Sequence, residues 1–141
     1  MANIVPDSFK EELFEAIHDF TASTGDTFKL ALYSTVTGFS AASTTAYTTT
    51  NEVSGTGYTA TGASLTNLWS TVAQNISFVD FSDVTFSTAT ITASAALIYN
   101  STSSNKSVVV LDFGGNKTST NGDFTIQFPA ANSTSAIIRI S

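Results

Sequence analysis

Asp123-Phe124-Thr125-Ile126-Gln127-Phe128-Pro129 alternates polar and large apolar residues until a proline interrupts it. Phe124, Ile126 and Phe128 share one face and Thr125 and Gln127 the other, the period-two pattern of a strand with one buried side. Pro129 has no N–H to give, so pairing stops there. Upstream, as far as Gly25, short β-branched or aromatic runs recur between clusters of Ser, Thr, Gly and Asn. They predict strands over 28–34, 46–53, 64–69, 76–81, 89–100, 106–113, 123–128 and 136–140. This series, without helices between strands, predicts a mainly β fold: an antiparallel β-sandwich, with enough strands for a jelly-roll arrangement.

Ahead of this body the period changes. Phe9, Leu13, Ala16, Ile17 and Phe20 recur at helical spacing, with Lys10, Glu11, Glu12, Glu15 and Asp19 on the other side. Ser8 and Glu11 have capping-box spacing, which predicts one amphipathic helix over 8–20. The chain then reads as a helical arm at 1–24 and a β body at 25–141, one domain overall. Phe9, Leu13 and Ile17 can lie in a neighbour's groove or pack under the chain's own sheet; both options fit the stripe. Phe14 stands off the stripe and predicts a contact on a second side.

Of 141 residues, 44 are Ser or Thr, and only 16 are Asp, Glu, Lys or Arg. Seven of those 16 fall within the first 26 positions, so the polar surface of the body is hydroxyl rather than ionic. Small hydroxyl and Ala side chains are cheaper to desolvate than Lys or Glu, which suits packing against another protein. The net charge of −6 leaves no basic footprint for nucleic acid. No apolar run is long enough for a membrane span, and the start of the chain lacks the pattern of a secretory signal, which predicts synthesis in the cytoplasm. Without Cys, neither disulfides nor thiolate chemistry is open to the chain.

No reaction is specified by any constellation. His18 is the single histidine, sits beside Asp19, and reads as an exposed helix residue rather than part of a triad. The pairs Asp80/Asp83 and Asp112/Asp123 could offer oxygens to a hard cation, yet neither has the dense alternating acids of a calcium loop. Aspartates also gather in turns for backbone bonding alone, and no metal or cofactor site is assigned. Gly55-Thr56-Gly57 lacks the Lys of a phosphate loop. Asn-x-Ser/Thr triplets at Asn75, Asn100, Asn105, Asn116 and Asn132 follow from composition. Residues 114–122, rich in Gly and Asn, predict an exposed hairpin loop presenting Asn116, Lys117 and Asn121. Trp69, Tyr33, Tyr47, Tyr58 and Tyr99 suit either sugar stacking or the strand interior.

Three stretches also carry a resemblance. Phe28-Lys29-Leu30-Ala31-Leu32-Tyr33 leads to Thr44-Thr45-Ala46-Tyr47-Thr48-Thr49-Thr50-Asn51-Glu52-Val53-Ser54-Gly55-Thr56-Gly57-Tyr58-Thr59-Ala60. Further on, Ala96-Leu97-Ile98-Tyr99-Asn100 precedes Val110-Leu111-Asp112-Phe113-Gly114 and the strand that ends at Pro129. From about Phe9 onward the chain resembles small structural proteins of tailed bacteriophages, similar to the cement or decoration proteins that stud capsids, cyanophage ones included. The resemblance implies a sandwich or jelly-roll body, a homotrimer bound to the major capsid protein on the virion surface, and no enzymatic activity. A tail or head-fibre part that binds host-surface glycan is the rival expectation.

Overall fold

The computed structural model describes residues 3–69 and 75–141. Among them run a helix, α1 (Asp7–Phe14), and seven strands: β1 (Phe28–Tyr33), β2 (Ala63–Ser64), β3 (Asn67–Trp69), β4 (Ser77–Phe81), β5 (Val84–Asn100), β6 (Lys106–Ile126) and β7 (Ile138–Ile140). They form two antiparallel sheets, one ordered β2-β1-β5-β6 and the other β3-β4-β7. The mainly β expectation holds, with one short helix at the start.

The long antiparallel pair β5 and β6 forms the frame. Near their tight turn at 101–105, residues 95–100 of β5 are buried on both faces. One face adds Ala96 and Ile98 to the main core with Phe28, Leu30 and Leu32. The other packs Ala95, Leu97 and Tyr99 with Ala31, Tyr33 and Val110 beneath Ile4, Val36, Phe39 and Tyr47. Farther along, burial alternates: Phe86, Ala89, Ile91 and Ala93 face the core, while Thr85, Thr90 and Thr92 face solvent. Threonine hydroxyls pair across the exposed face, Thr85 with Thr125 and Thr92 with Thr118, each at 2.8 Å. A cross-strand pair of this kind contributes a few tenths of a kcal/mol, up to about 1.

Residues 114–122 are not a hairpin tip. The two predicted strands 106–113 and 123–128 are one strand, and the segment between them continues the ladder through Ala93↔Lys117, Thr92↔Thr118 and Ala89↔Gly122. Between Ala93↔Lys117 and Ala95↔Asp112, residues 113–116 face Ser94 alone, so the irregularity is a bulge with more than the usual one extra residue. Gly114 and Gly115 take φ of +71° and +144° there. Asn116, Lys117 and Asn121 are exposed, but Asn121 is tied to β5 by its N–H donating to the Thr90 hydroxyl. The Gly and Asn residues mark a bulge inside a strand rather than a turn between strands.

The predicted strand 46–53 makes only isolated bridges, Ala46↔Lys106 and Tyr33↔Glu52. The predicted strand 64–69 is divided between the two sheets: β2 pairs with β1, and β3 pairs with β4.

The helix is shorter than its periodicity predicts. It ends at Phe14, and Ala16 turns the chain through a φ of +56°. The N-cap is Pro6, and no side chain caps the end. Ser8, expected to form a capping box, instead donates its hydroxyl to Thr44 O. After the reversal Phe20 stacks flat on Phe28 at 4.4 Å and sits edge-on to Phe9 at 6.2 Å. Phe81 of β4 lies 5.9 Å from Phe28, so the aromatic cluster includes side chains of both sheets. The segment expected to be an arm thus contributes Phe9 to the core of the body; its first two residues lie outside those described.

Candidate functional site

The polar groups that sequence reasoning singles out are largely consumed inside the fold. Glu12, expected on the solvent face of a long helix, is buried, and so is the side chain of His18. The early end of α1 explains both, because the reversed chain brings His18 back over the helix. His18 Nε2 donates to Glu12 Oε2 at 2.7 Å, and Lys106 Nζ donates to Glu12 Oε1 at 2.8 Å. Asn100 Nδ2 contacts His18 Nδ1 at 3.1 Å and donates to Asp26 Oδ2 at 2.6 Å. Asn100 Oδ1 accepts the N–H groups of Thr102 and Ser103, which fixes the orientation of its amide. An amide NH2 can only donate, so His18 accepts at Nδ1 and carries its proton on Nε2. This network locks residues 7–27 onto the turn between β5 and β6, and the imidazole has no opening to a substrate.

All four tyrosines meet around Glu52. Its carboxylate accepts from Tyr47 at 2.5 Å, from Tyr58 at 2.7 Å and from the Thr61 N–H at 2.7 Å. Tyr33 donates to Thr48 O and Tyr99 to Thr61 O, both at 2.7 Å. Burial pushes all four phenols above their usual range, and the neighbouring carboxylate adds to the shift. The cluster fastens the connection 34–62 to β1 and β5, so Tyr58 is not a free stacking platform. Its pH consequence has a definite sign. An unfolded chain releases these protons near pH 10, whereas the folded chain keeps them, so unfolding gains at higher pH. Stability is expected to be intact below pH 10 and to fall above it by up to about 1.4 kcal/mol per pH unit for each of the buried phenols Tyr33 and Tyr99, and by less for half-buried Tyr47 and Tyr58, where solvent screens the charge. Tyrosinate absorbance and circular dichroism should change together in an alkaline titration. Tyrosinate forming on a chain with intact β signal would refute this.

The two aspartate pairs separate. Asp80 is fully buried; its Oδ1 accepts the Phe81 N–H, and the Ile137 backbone also stands against the carboxylate. Burial pushes its carboxyl up. Asp83 instead accepts the Phe128 N–H at 2.8 Å and holds the end of that strand in place. Asp112 accepts the Gly114 N–H, which holds its carboxyl below the usual range and shapes the bulge. Asp123 lies on the exposed face well along β6. Among the described residues no three His, Asp or Glu side chains gather as metal ligands would.

What remains open to a partner is apolar. Val5 (41%), Phe14 (94%), Trp69 (42%) and Ile140 (57%) are the exposed large hydrophobics among the described residues. A groove of about 620 Å³ runs between α1 and β7, lined by Val5, Leu13, Ile138 and Ile140 with Lys10 and Arg139 at its rim. A second, of about 300 Å³, includes Phe20, Trp69 and Val79 and shares Ile138 and Ile140 with the first. Register explains the pair. Trp69↔Val79↔Ile138 and Ser77↔Ile140 put these side chains on the same face of the small sheet as Phe81. Phe81 is buried, Val79 half-buried and Ser77 exposed, so this face runs beyond the core that covers it.

A third groove, of about 590 Å³, follows β6 past Leu111, Phe113, Phe124 and Ile126. Of the residues expected at a partner contact, Phe9 is buried in the core while also lining the first groove, and Ile17 is half-buried, its carbonyl accepting the Ser103 hydroxyl. Leu13 lines the first groove. Sequence reasoning missed half-buried Ile138 and exposed Ile140 as groove-lining groups, and no periodicity could mark them, because only the tertiary arrangement decides how far each is covered. Among the described residues no helix is long and apolar enough to cross a membrane. No family model, curated protein or solved structure matches the chain.

Proposed function

We propose that this chain is a capsid cement protein: a sandwich or jelly-roll body that binds the assembled shell of a major capsid protein as a homotrimer and stabilises it without catalysis. The observation that carries the reading is the contrast between a spent interior and an open apolar surface. His18, Glu12 and Glu52 are consumed in structural bonds, while the grooves around β7 and α1 leave large side chains exposed. An apolar patch of that kind on a small protein marks an interaction surface. A ligand that binds only the assembled lattice stabilises it by mass action, and several copies of one weak contact on a symmetric oligomer add strength through effective concentration.

The hydroxyl face of β5 and β6 offers neighbours little charge to desolvate. Exposed Trp69 favours a second reading, a fibre part that stacks on host-surface glycan. Cosedimentation with assembled shells and with free capsid subunits tests the first. It expects retention on shells alone, at hundreds of copies per particle on a calibrated gel. Loss of glycan binding in Trp69→Ala, with only a handful of copies per particle, would transfer the assignment to the fibre reading. A lone protomer that turns over a substrate and ignores shells would end both.

A further inference from the structure

We propose that the groove between α1 and β7 is a self-association surface, filled by Phe14 from a second copy of this chain. The inference deepens the trimer of the proposed function, but its contact is defined without reference to a shell. Phe14 is 94% exposed, although an aromatic ring is among the costliest side chains to leave in water. It follows Leu13, which lines the groove, so the same short helix carries the open ring and one wall of the groove, pointing in different directions. Two patches so placed let symmetry-related copies fill one another at once and close the assembly.

Charge selects the same occupant. The chain carries −6, so copies repel unless their contact pairs opposite charges. Two of its five basic residues, Lys10 and Arg139, line this groove; Lys10 is paired with Asp7 at 2.7 Å, which leaves Arg139 to meet a neighbour's carboxylate. Arg139 forms no ion pair among the described residues and only donates to Thr134 O. Glu11, three residues before Phe14 and so on the same side of α1, is exposed and likewise forms no ion pair among the described residues. Seating Phe14 in a neighbour's groove brings Glu11 of one copy toward Arg139 of the next. The adjoining groove beside Trp69 extends the apolar area across β7.

The test is sedimentation velocity on the full chain over a range of concentrations, with circular dichroism to verify folding. The expected result is a mass above one chain. Phe14→Asp, a surface change, should raise the dissociation constant about 100-fold with the β signal unchanged. Glu11→Arg and Arg139→Glu should each weaken association, and the double variant should restore it. A mass of three chains supports this surface and the trimer together. Two chains support this surface and remove the trimer. A single chain at every concentration overturns it, and shell cosedimentation then reads the cement proposal by itself. Unaltered association in Phe14→Asp, or no rescue in the double variant, overturns it as well.

Discussion

Deletion of residues 1–20 is expected to abolish the β signal rather than to release a folded body from its arm. The segment supplies Phe9, 1% exposed, along with Leu13 and Phe20 packed against the same core. Removing one buried Phe side chain alone costs about 3–5 kcal/mol. A domain of this size has about 5–15 kcal/mol in total, so losing the whole cluster consumes most or all of it. The polar side adds to the loss. Without Glu12 and His18, Lys106 loses its ion pair and Asn100 loses one of the two contacts of its Nδ2 at the turn between β5 and β6. Breaking one partner of a buried pair costs about 3–5 kcal/mol, less here because Lys106 is partly exposed. Circular dichroism and a urea titration of the truncated chain check this. A cooperative transition and native β spectrum would restore the detachable arm.

Gly62→Ala should also be strongly destabilising although it adds a single methyl group. Gly62 has a φ of +73°, and a Cβ there would lie 1.8 Å from Leu30 O and 2.8 Å from Ala31 Cα. Both are backbone atoms of the central strand β1, which is buried almost throughout and pairs on both sides. Neither can rotate away, so β2 must lift from β1. The strain of a positive φ adds about 1 kcal/mol to the overlap. We expect a loss of at least about 3 kcal/mol, seen as a fall in the urea midpoint without a change in slope. Gly114→Ala is the control: its φ is +71°, but nothing lies within 4 Å of the added carbon, so it should cost only the backbone term. Equal midpoints for the two variants would disprove the clash.

The contrast between these glycines shows where a linear reading stops. Gly62 and Gly114 both lie in stretches punctuated by glycine, and nothing in their immediate neighbours tells the two apart. One is pressed against β1 and the other stands on the open rim of a bulge, and that difference depends on residues far off in sequence. The same holds at the start of the chain. Helical spacing from Phe9 to Phe20 is real, but the backbone reverses after Phe14, and Phe20 continues the apolar pattern by stacking on Phe28. Apolar period alone cannot distinguish a longer helix from a shorter one whose following loop also buries its aromatics.

Local alternation was enough to determine the mainly β class, the position of most strands and the inward face of Phe124 and Ile126 in β6, because side-chain direction along a strand has period two wherever the strand lies. Hydroxyl-rich composition likewise determined a surface nearly free of charge away from the helix. Tertiary structure alone decided that 106–126 is one strand, that Glu12 and His18 are interior, and that Ile140 and Phe14 are left uncovered. Each of those outcomes depends on what packs opposite a residue, and burial belongs to the assembled pair of sheets rather than to any segment read alone.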